Sequence, residues 1–414
     1  MDITAPVYVI ATLDTKAEEA RFVADAVCAN GAAAILVDVG TLLPPQTAPG
    51  IERSHVAAFH PLGADAVLGH SDRGRAVTAM SQALRGFLVD ACRSGQCSGV
   101  IGLGGTGGTA LIASAMRALP IGFPKLMVST VASGDTSGYV GTSDITMMFS
   151  VVDVAGLNRV SRQIYRNAAA AIAGMARLPA AVADGRPAVG VTMFGVTTPC
   201  VTRVRHYLES TGFDCLVFHA TGTGGRAMEE LAASGFLTAV IDITTTEVAD
   251  AVVGGVFAAG PERFDAILER RLPYVLSVGA LDMVNFGPLD SVPERFRSRK
   301  LHVHNSSVTL MRTTVAENIA CARWIAGKLN AFPDSDFTLF LPERGVSELD
   351  KPGQPFFDPE ADAALFEELE RAVVQSATRI VRRLPHHIND PLFAEAIHRE
   401  IDHLAACTAL PMEI

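Results

Sequence analysis

The chain has 414 residues, enough for two domains that each bury a full core. Hydrophobic residues make up 49% and charged residues 19%, which excludes a disordered chain. A formal net charge of −10 lacks the basic face that nonspecific nucleic-acid binding requires.

Val7–Ala11 is the first expected strand, followed by a helix over 16–30 that ends at Gly31 and a parallel strand over 34–39. The two strands are apolar throughout, as in a sheet covered on both faces. Pro44, Pro45 and Pro49 mark a surface loop. A helix over 73–95 leads to a strand at 98–101 and then to Gly102-Leu103-Gly104-Gly105-Thr106-Gly107-Gly108-Thr109. The apolar segment 110–116 after it reads as a helix. Five glycines between strand and helix allow a tight turn that presents bare N–H groups, and the helix dipole adds positive potential there. Residues 124–130 form another strand, and an alanine-rich helix over 156–177 closes the first half.

A linker at 179–187 divides the chain into domains 1–183 and 184–414. The pattern then restarts, with a strand at 188–193, a helix from Pro199 to Gly212 and a strand at 215–218. A second glycine loop follows, His219-Ala220-Thr221-Gly222-Thr223-Gly224-Gly225-Arg226. Strands are also expected at 239–243, 274–278 and 337–341. A helical tail from Asp358 places Leu365, Phe366, Leu369 and Val373 on one face. The fold class is α/β: two doubly wound, Rossmann-like parallel-sheet domains with a helical C-terminal tail. Ligands of such sheets sit beyond the strand C-termini.

Three constellations carry chemistry. The first joins Thr12, Asp14, Thr15 and Lys16 to Gly104, Gly105, Thr106, Gly107, Gly108 and Thr109 as a phosphate-binding crevice, with Ser133 and Asp135 completing it. Lys16 or Asp14 would meet charge or a metal. No Lys-Ser/Thr follows the glycines, so the Walker A pattern is absent. A strand–helix turn without ligand is the competing reading. The second constellation gathers Thr197, Thr198 and Cys200 with Gly222, Gly224, Gly225 and Arg226 as a substrate-binding loop. A thiol at a helix start has its pKa lowered by the dipole, but a packed, inert cysteine is the favoured reading. Thr244-Thr245-Thr246-Glu247 reads as a hydroxyl-rich N-cap. The third sets His304, Arg312 and Glu317 as catalytic, near His302, Asp282 and Asn285. A histidine, an arginine and a carboxylate could bind an acidic substrate and move protons. His302 and His304 share a strand face, which would also suit a metal. His386, His387 and His398 read as solvated helix residues.

Several separated motifs agree in order with one family. They are Ile10-Ala11-Thr12-Leu13-Asp14-Thr15-Lys16, the first glycine loop, and Ser129-Thr130-Val131-Ala132-Ser133-Gly134-Asp135. The second half adds His304-Asn305, Thr309-Leu310-Met311-Arg312-Thr313-Thr314 and Gly345-Val346-Ser347-Glu348-Leu349-Asp350-Lys351-Pro352-Gly353. The chain resembles the Tm-one-like ATP-binding family, bacterial and fungal relatives of the N-terminal inhibitory region of a plant tobamovirus-resistance protein. The resemblance implies two α/β domains, nucleotide binding and a homodimer; ATP is the expected cofactor, with Mg2+ as a candidate companion.

The expectation is a nucleotide-binding enzyme of small-molecule metabolism acting on an acidic or phosphorylated substrate. The alternative is a noncatalytic, nucleotide-dependent binding or regulatory module. A dinucleotide oxidoreductase fits less well, since no GxGxxG directly follows the first strand. The opening residues lack the charge and apolar run of a signal peptide, no apolar segment reaches the ~18 residues of a membrane span, and the seven cysteines have no zinc spacing. A cytoplasmic protein without membrane or nucleic-acid partner is expected.

Overall fold

The computed structural model describes residues 5–69, 72–178 and 185–407, and the chain divides into two compact units, residues 1–182 and 183–414. Of the expected linker at 179–187, residues 179–184 lie outside the described residues.

The first unit is a five-stranded sheet of β1 (Val7–Ala11), β2 (Ala34–Asp38), β3 (Gly99–Gly104), β4 (Lys125–Ser129) and β5 (Thr146–Phe149). All neighbours are parallel, in the order β2-β1-β3-β4-β5. Parallel pairing requires a crossover between strands, and right-handed crossovers lay helices on both faces. Side-chain alternation divides the core accordingly. Tyr8, Ile10, Val100 and Met127 pack with helices Arg73–Arg93 and Thr106–Met116. Val7, Val9, Ile101 and Val128 pack with helices Ala17–Ala29 and Arg159–Arg177. Truncating a fully buried residue such as Ile10 to alanine costs about 2–5 kcal/mol in such cores.

The second unit repeats this order and extends it. Its main sheet contains β6 (Ala188–Met193), β7 (Asp214–His219), β8 (Ala239–Thr244) and β9 (Tyr274–Gly279). An antiparallel sheet is inserted next, made of β10 (Met283–Phe286), β11 (Leu301–Asn305) and β12 (Val308–Arg312) in the order β10-β12-β11. The chain then returns to the main sheet as β13 (Phe337–Pro342) and β14 (Arg379–Leu384). That parallel sheet runs β14-β13-β9-β8-β6-β7.

The C-terminal region is therefore not continuous helix. Helix Pro359–Ala372 matches the expectation, but the chain then adds strand β14 before helix Pro391–Cys407. Arg379, Arg382 and Arg383 masked that strand, although arginines are at home on an edge that must resist pairing. His386 and His387 lie in the loop after β14 rather than in a helix, and His387 is buried. His398 does lie in a helix, with its ring stacked on Tyr207 at 4.0 Å.

Candidate functional site

In the first sheet the chain order reverses at β1, which has β2 on one side and β3 on the other. Loops leaving the carboxyl ends of β1 and β3 diverge there and leave a crevice, the usual ligand position of doubly wound sheets. A cavity of about 340 Å³ occupies it. Thr12, Asp14, Thr15 and Lys16 line one wall, and Gly104, Gly105, Thr106, Gly107 and Gly108 line another. Thr41, Leu42, Val77 and Leu111 complete it. Those four had no sequence signal, because a threonine and a leucine in a loop and apolar residues of helices look like any others.

The glycines divide by purpose. A Cβ on Gly102 would lie 2.6 Å from Met127 Sδ and 2.7 Å from Ile112 Cγ2, so this glycine serves strand packing. A Cβ on Gly104 would stand 2.9 Å from Gly108 Cα, so it lets the helix start close to the strand. Gly107 has nothing within 4 Å of such a Cβ, and Gly105 meets only Thr130 Oγ1 at 3.8 Å. Packing therefore does not account for these two. Among the described residues, no side chain caps helix Thr106–Met116. The N–H groups of its first turn, which cannot bond within the helix, are presented at the cavity.

The remaining first-site candidates separate. Thr12 and Thr15 hydroxyls meet each other at 3.0 Å beside Lys16. Asp14 is buried, and its Oδ2 accepts from the main chain of Leu42 and Leu43 at 3.3 Å each, holding that loop to the cavity. Thr109 does not reach the cavity. It is buried, with its hydroxyl 2.6 Å from Ser129 Oγ, and braces helix to strand. Ser133 and Asp135 are exposed on the loop after β4 and are absent from the cavity wall. Asp135 instead accepts the Ser137 amide at 2.9 Å, and this bonding to Ser137 holds its carboxyl below the ordinary range.

The second glycine loop is closed from within. Glu247 Oε1 accepts the main-chain N–H of Gly222 at 2.7 Å and of Gly225 at 3.1 Å. Its Oε2 receives Arg263 Nε at 2.9 Å, and Arg263 also reaches Asp242 at 2.7 Å. A buried carboxylate thus fills the place where a ligand anion would stand, so Gly222, Gly224 and Gly225 offer no open cradle. Arg226 is exposed and donates to Ala258 O at 3.4 Å. Glu247 read as a capping residue in the sequence; only the fold brings it across to β7's loop. The sheet's reversal between β7 and β8 is likewise filled, with Thr197 and Thr244 hydroxyls 2.7 Å apart. Cys200 is fully buried, and burial pushes its thiol up to about 12, so it is the packed cysteine.

The third constellation does not assemble. His304 is exposed on β11. Arg312 is buried with its donors taken: Nε to Phe356 O at 2.7 Å, Nη1 to Thr313 Oγ1 at 2.9 Å and Nη2 to Asp362 at 2.8 Å. Glu317 receives Arg299 through two bonds, at 3.0 and 2.7 Å, and closes a capping box with Thr314. Arg312 and Glu317 therefore tie elements together. Among the described residues, no group of three histidine, cysteine or carboxylate side chains is placed to hold a metal, which answers the His302–His304 option. No described helix is long and apolar enough to cross a membrane.

Residues 5–181 match the N-terminal domain model, and residues 186–405 the C-terminal domain model, of an uncharacterised protein family (UPF0261). The chain belongs to that family. A UPF0261 protein of Mesorhizobium japonicum is 56% identical over 96% of this chain and 98% of its own length. A UPF0261 protein of Clostridium tetani is 45% identical over 95% of this chain and 98% of its own. The ToMV resistance protein Tm-1(GCR237) of Solanum lycopersicum is 48% identical over 94% of this chain, which spans 54% of the tomato protein. The UPF0261 family thus includes relatives of the tomato protein to which the sequence motifs pointed.

Proposed function

We propose that this UPF0261 protein binds a nucleotide, ATP, in the cavity between the β1 and β3 loops. The observation that carries the reading is the uncapped first turn of helix Thr106–Met116 opening onto that cavity beside Lys16. Main-chain N–H groups there would hold phosphate oxygens, the Lys16 ammonium would balance their charge, and Thr12 and Thr15 hydroxyls would orient them. Leu42, Val77 and Leu111 supply apolar wall for a base. Mg2+ would arrive with the nucleotide, held chiefly by phosphates, since Asp14 is engaged with its own loop.

Turnover of an acidic or phosphorylated metabolite by a cytoplasmic homodimer is the enzyme form of this reading. A noncatalytic nucleotide-dependent module is favoured by a specific observation: Arg312 and Glu317, expected to do chemistry, are committed to structural bonds. The name of the tomato relative, a resistance protein, suits a module as well.

Calorimetric titration of the full chain with ATP and Mg2+ tests the reading. Saturable binding that falls more than tenfold in Lys16→Ala supports it; absence of binding to the wild-type chain overturns it. Phosphate release and metabolite consumption on the same samples separate enzyme from module.

A further inference from the structure

A second cavity, of about 450 Å³, lies at the carboxyl edge of the second unit's main sheet. Three segments build it. Pro199 comes from the first turn of helix Thr198–Ser210, in the segment after β6, Arg344, Glu348 and Lys351 from the loop after β13, and His387 and Asn389 from the loop after β14. These segments are sewn to one another. Glu348 N donates to Val196 O at 3.0 Å, Arg344 N to His386 O at 3.2 Å and Ile388 N to Gly345 O at 3.0 Å. The buried His387 ring spans the last two loops, with Nε2 2.9 Å from Ser347 O and Nδ1 accepting Asn389 N at 3.1 Å. Gly345, at φ +120°, allows the crossing, because a Cβ there would overlap Asp350 O. The wall is thus cross-braced, and no glycine cradle or residue of the first cavity is involved.

Of the charged groups on this wall, Glu348 and Lys351 pair with each other, whereas Arg344 and Asp390 have no ion pair among the described residues. Glu348 is ion-paired with Lys351 and accepts Asn389 Nδ2 at 3.3 Å. Asp390 accepts the main-chain N–H of His387 at 3.0 Å and stands at the start of helix Pro391–Cys407, whose dipole favours an anion. Arg344 is exposed, and among the described residues its guanidinium has neither a hydrogen bond nor an ion pair. A guanidinium free of ion pairs on a braced, concave wall offers a planar two-donor fork to a planar oxyanion, and the neighbouring Asp390 and Glu348 carboxylates favour one of low charge. A carboxylate meets both conditions. A phosphate dianion would leave a charge unbalanced beside Glu348 and Asp390.

We propose that this cavity binds a small organic carboxylate, gripped through the Arg344 fork, with Pro199 and Pro352 against its carbon skeleton. The site is separate from the nucleotide cavity, and neither assignment depends on the other.

The test is calorimetric titration of the full chain with acetate, succinate and L-glutamate, each at constant ionic strength, alongside inorganic phosphate. Saturable binding of at least one carboxylate is expected, falling more than tenfold in Arg344→Ala and only partly restored in Arg344→Lys. Thermal unfolding of both variants at the wild-type midpoint will show that the fold is intact. If no carboxylate binds, or if binding is unchanged in Arg344→Ala, the site assignment is overturned. Inorganic phosphate binding as tightly as the carboxylates overturns the choice of ligand class. ATP titration of Arg344→Ala should match wild type, and failure of ATP to bind either protein would count against the nucleotide reading alone.

Discussion

Glu247 Oε1 takes the main-chain N–H of Gly222 at 2.7 Å, placing an internal carboxylate where the second glycine loop would otherwise receive a ligand. The first loop, of similar sequence, has no such partner capping its helix among the described residues. The same local chemistry therefore serves as architecture in one unit and remains open in the other.

Glu247→Ala should destabilise the second unit severely. It strips the glycine loop of its acceptor and removes a carboxylate partner from the buried Arg263. Removing one partner of a buried pair costs about 3–5 kcal/mol, which the unfolding transition of that unit in urea would register. A loss below about 1 kcal/mol would show that the plug contributes little.

Gly104→Ala and Gly107→Ala should part company. A Cβ at Gly104 strikes main chain at 2.9 Å, whereas one at Gly107 enters open space. The first substitution should lower the unfolding midpoint by several degrees. The second should leave it near wild type while weakening ATP, if the cavity holds phosphates. Equal midpoints for the two would contradict the division of the loop into packing and ligand glycines.

Arg312→Ala should act on stability rather than on ligand affinity. The buried guanidinium satisfies Phe356 O, Thr313 Oγ1 and Asp362, and its loss leaves that carboxyl group without its cation. A fall of about 3–5 kcal/mol with unchanged ATP affinity is the expected result. A selective loss of ATP affinity in a stably folded variant would restore a functional role.

Stability should decline from mildly acidic to mildly basic pH. Burial raises the Asp250 carboxyl from 3.8 to about 7, against the opposing pull of its bonds from Asn285 and Phe257. The folded state therefore holds a proton that the unfolded chain has released. This contribution is complete below about pH 4 and disappears as pH rises through about 7. Burial shifts Asp282 the same way, reinforced by the nearby Asp350. Unfolding midpoints at about pH 5 and pH 8 check the sign. A higher midpoint at the alkaline end would refute it.

Much of the fold was legible because parallel strands covered on both faces are written as continuous apolar runs, such as Val7–Ala11 and Tyr274–Gly279. β10 and β12 were harder to see, since Asn285, Thr309 and Arg312 interrupt their short apolar runs. β14 hid behind its arginines. At the first cavity, the glycine run and Lys16 were visible because backbone freedom and charge are local properties. Its apolar wall was not, because Val77 and Leu111 look like ordinary core residues until two helices converge.

Local chemistry alone established two alternating βα patterns and two loops whose backbones can face an anion. It could not tell an open loop from a filled one. That depended on Glu247, Arg263 and Asp242, which lie on separate segments and meet only when the second sheet forms. The amides of a turn attract any carboxylate that the fold delivers, and sequence proximity does not say which one arrives. Arg344 is left without an ion pair among the described residues for the same reason: the loop closures decide which charges meet.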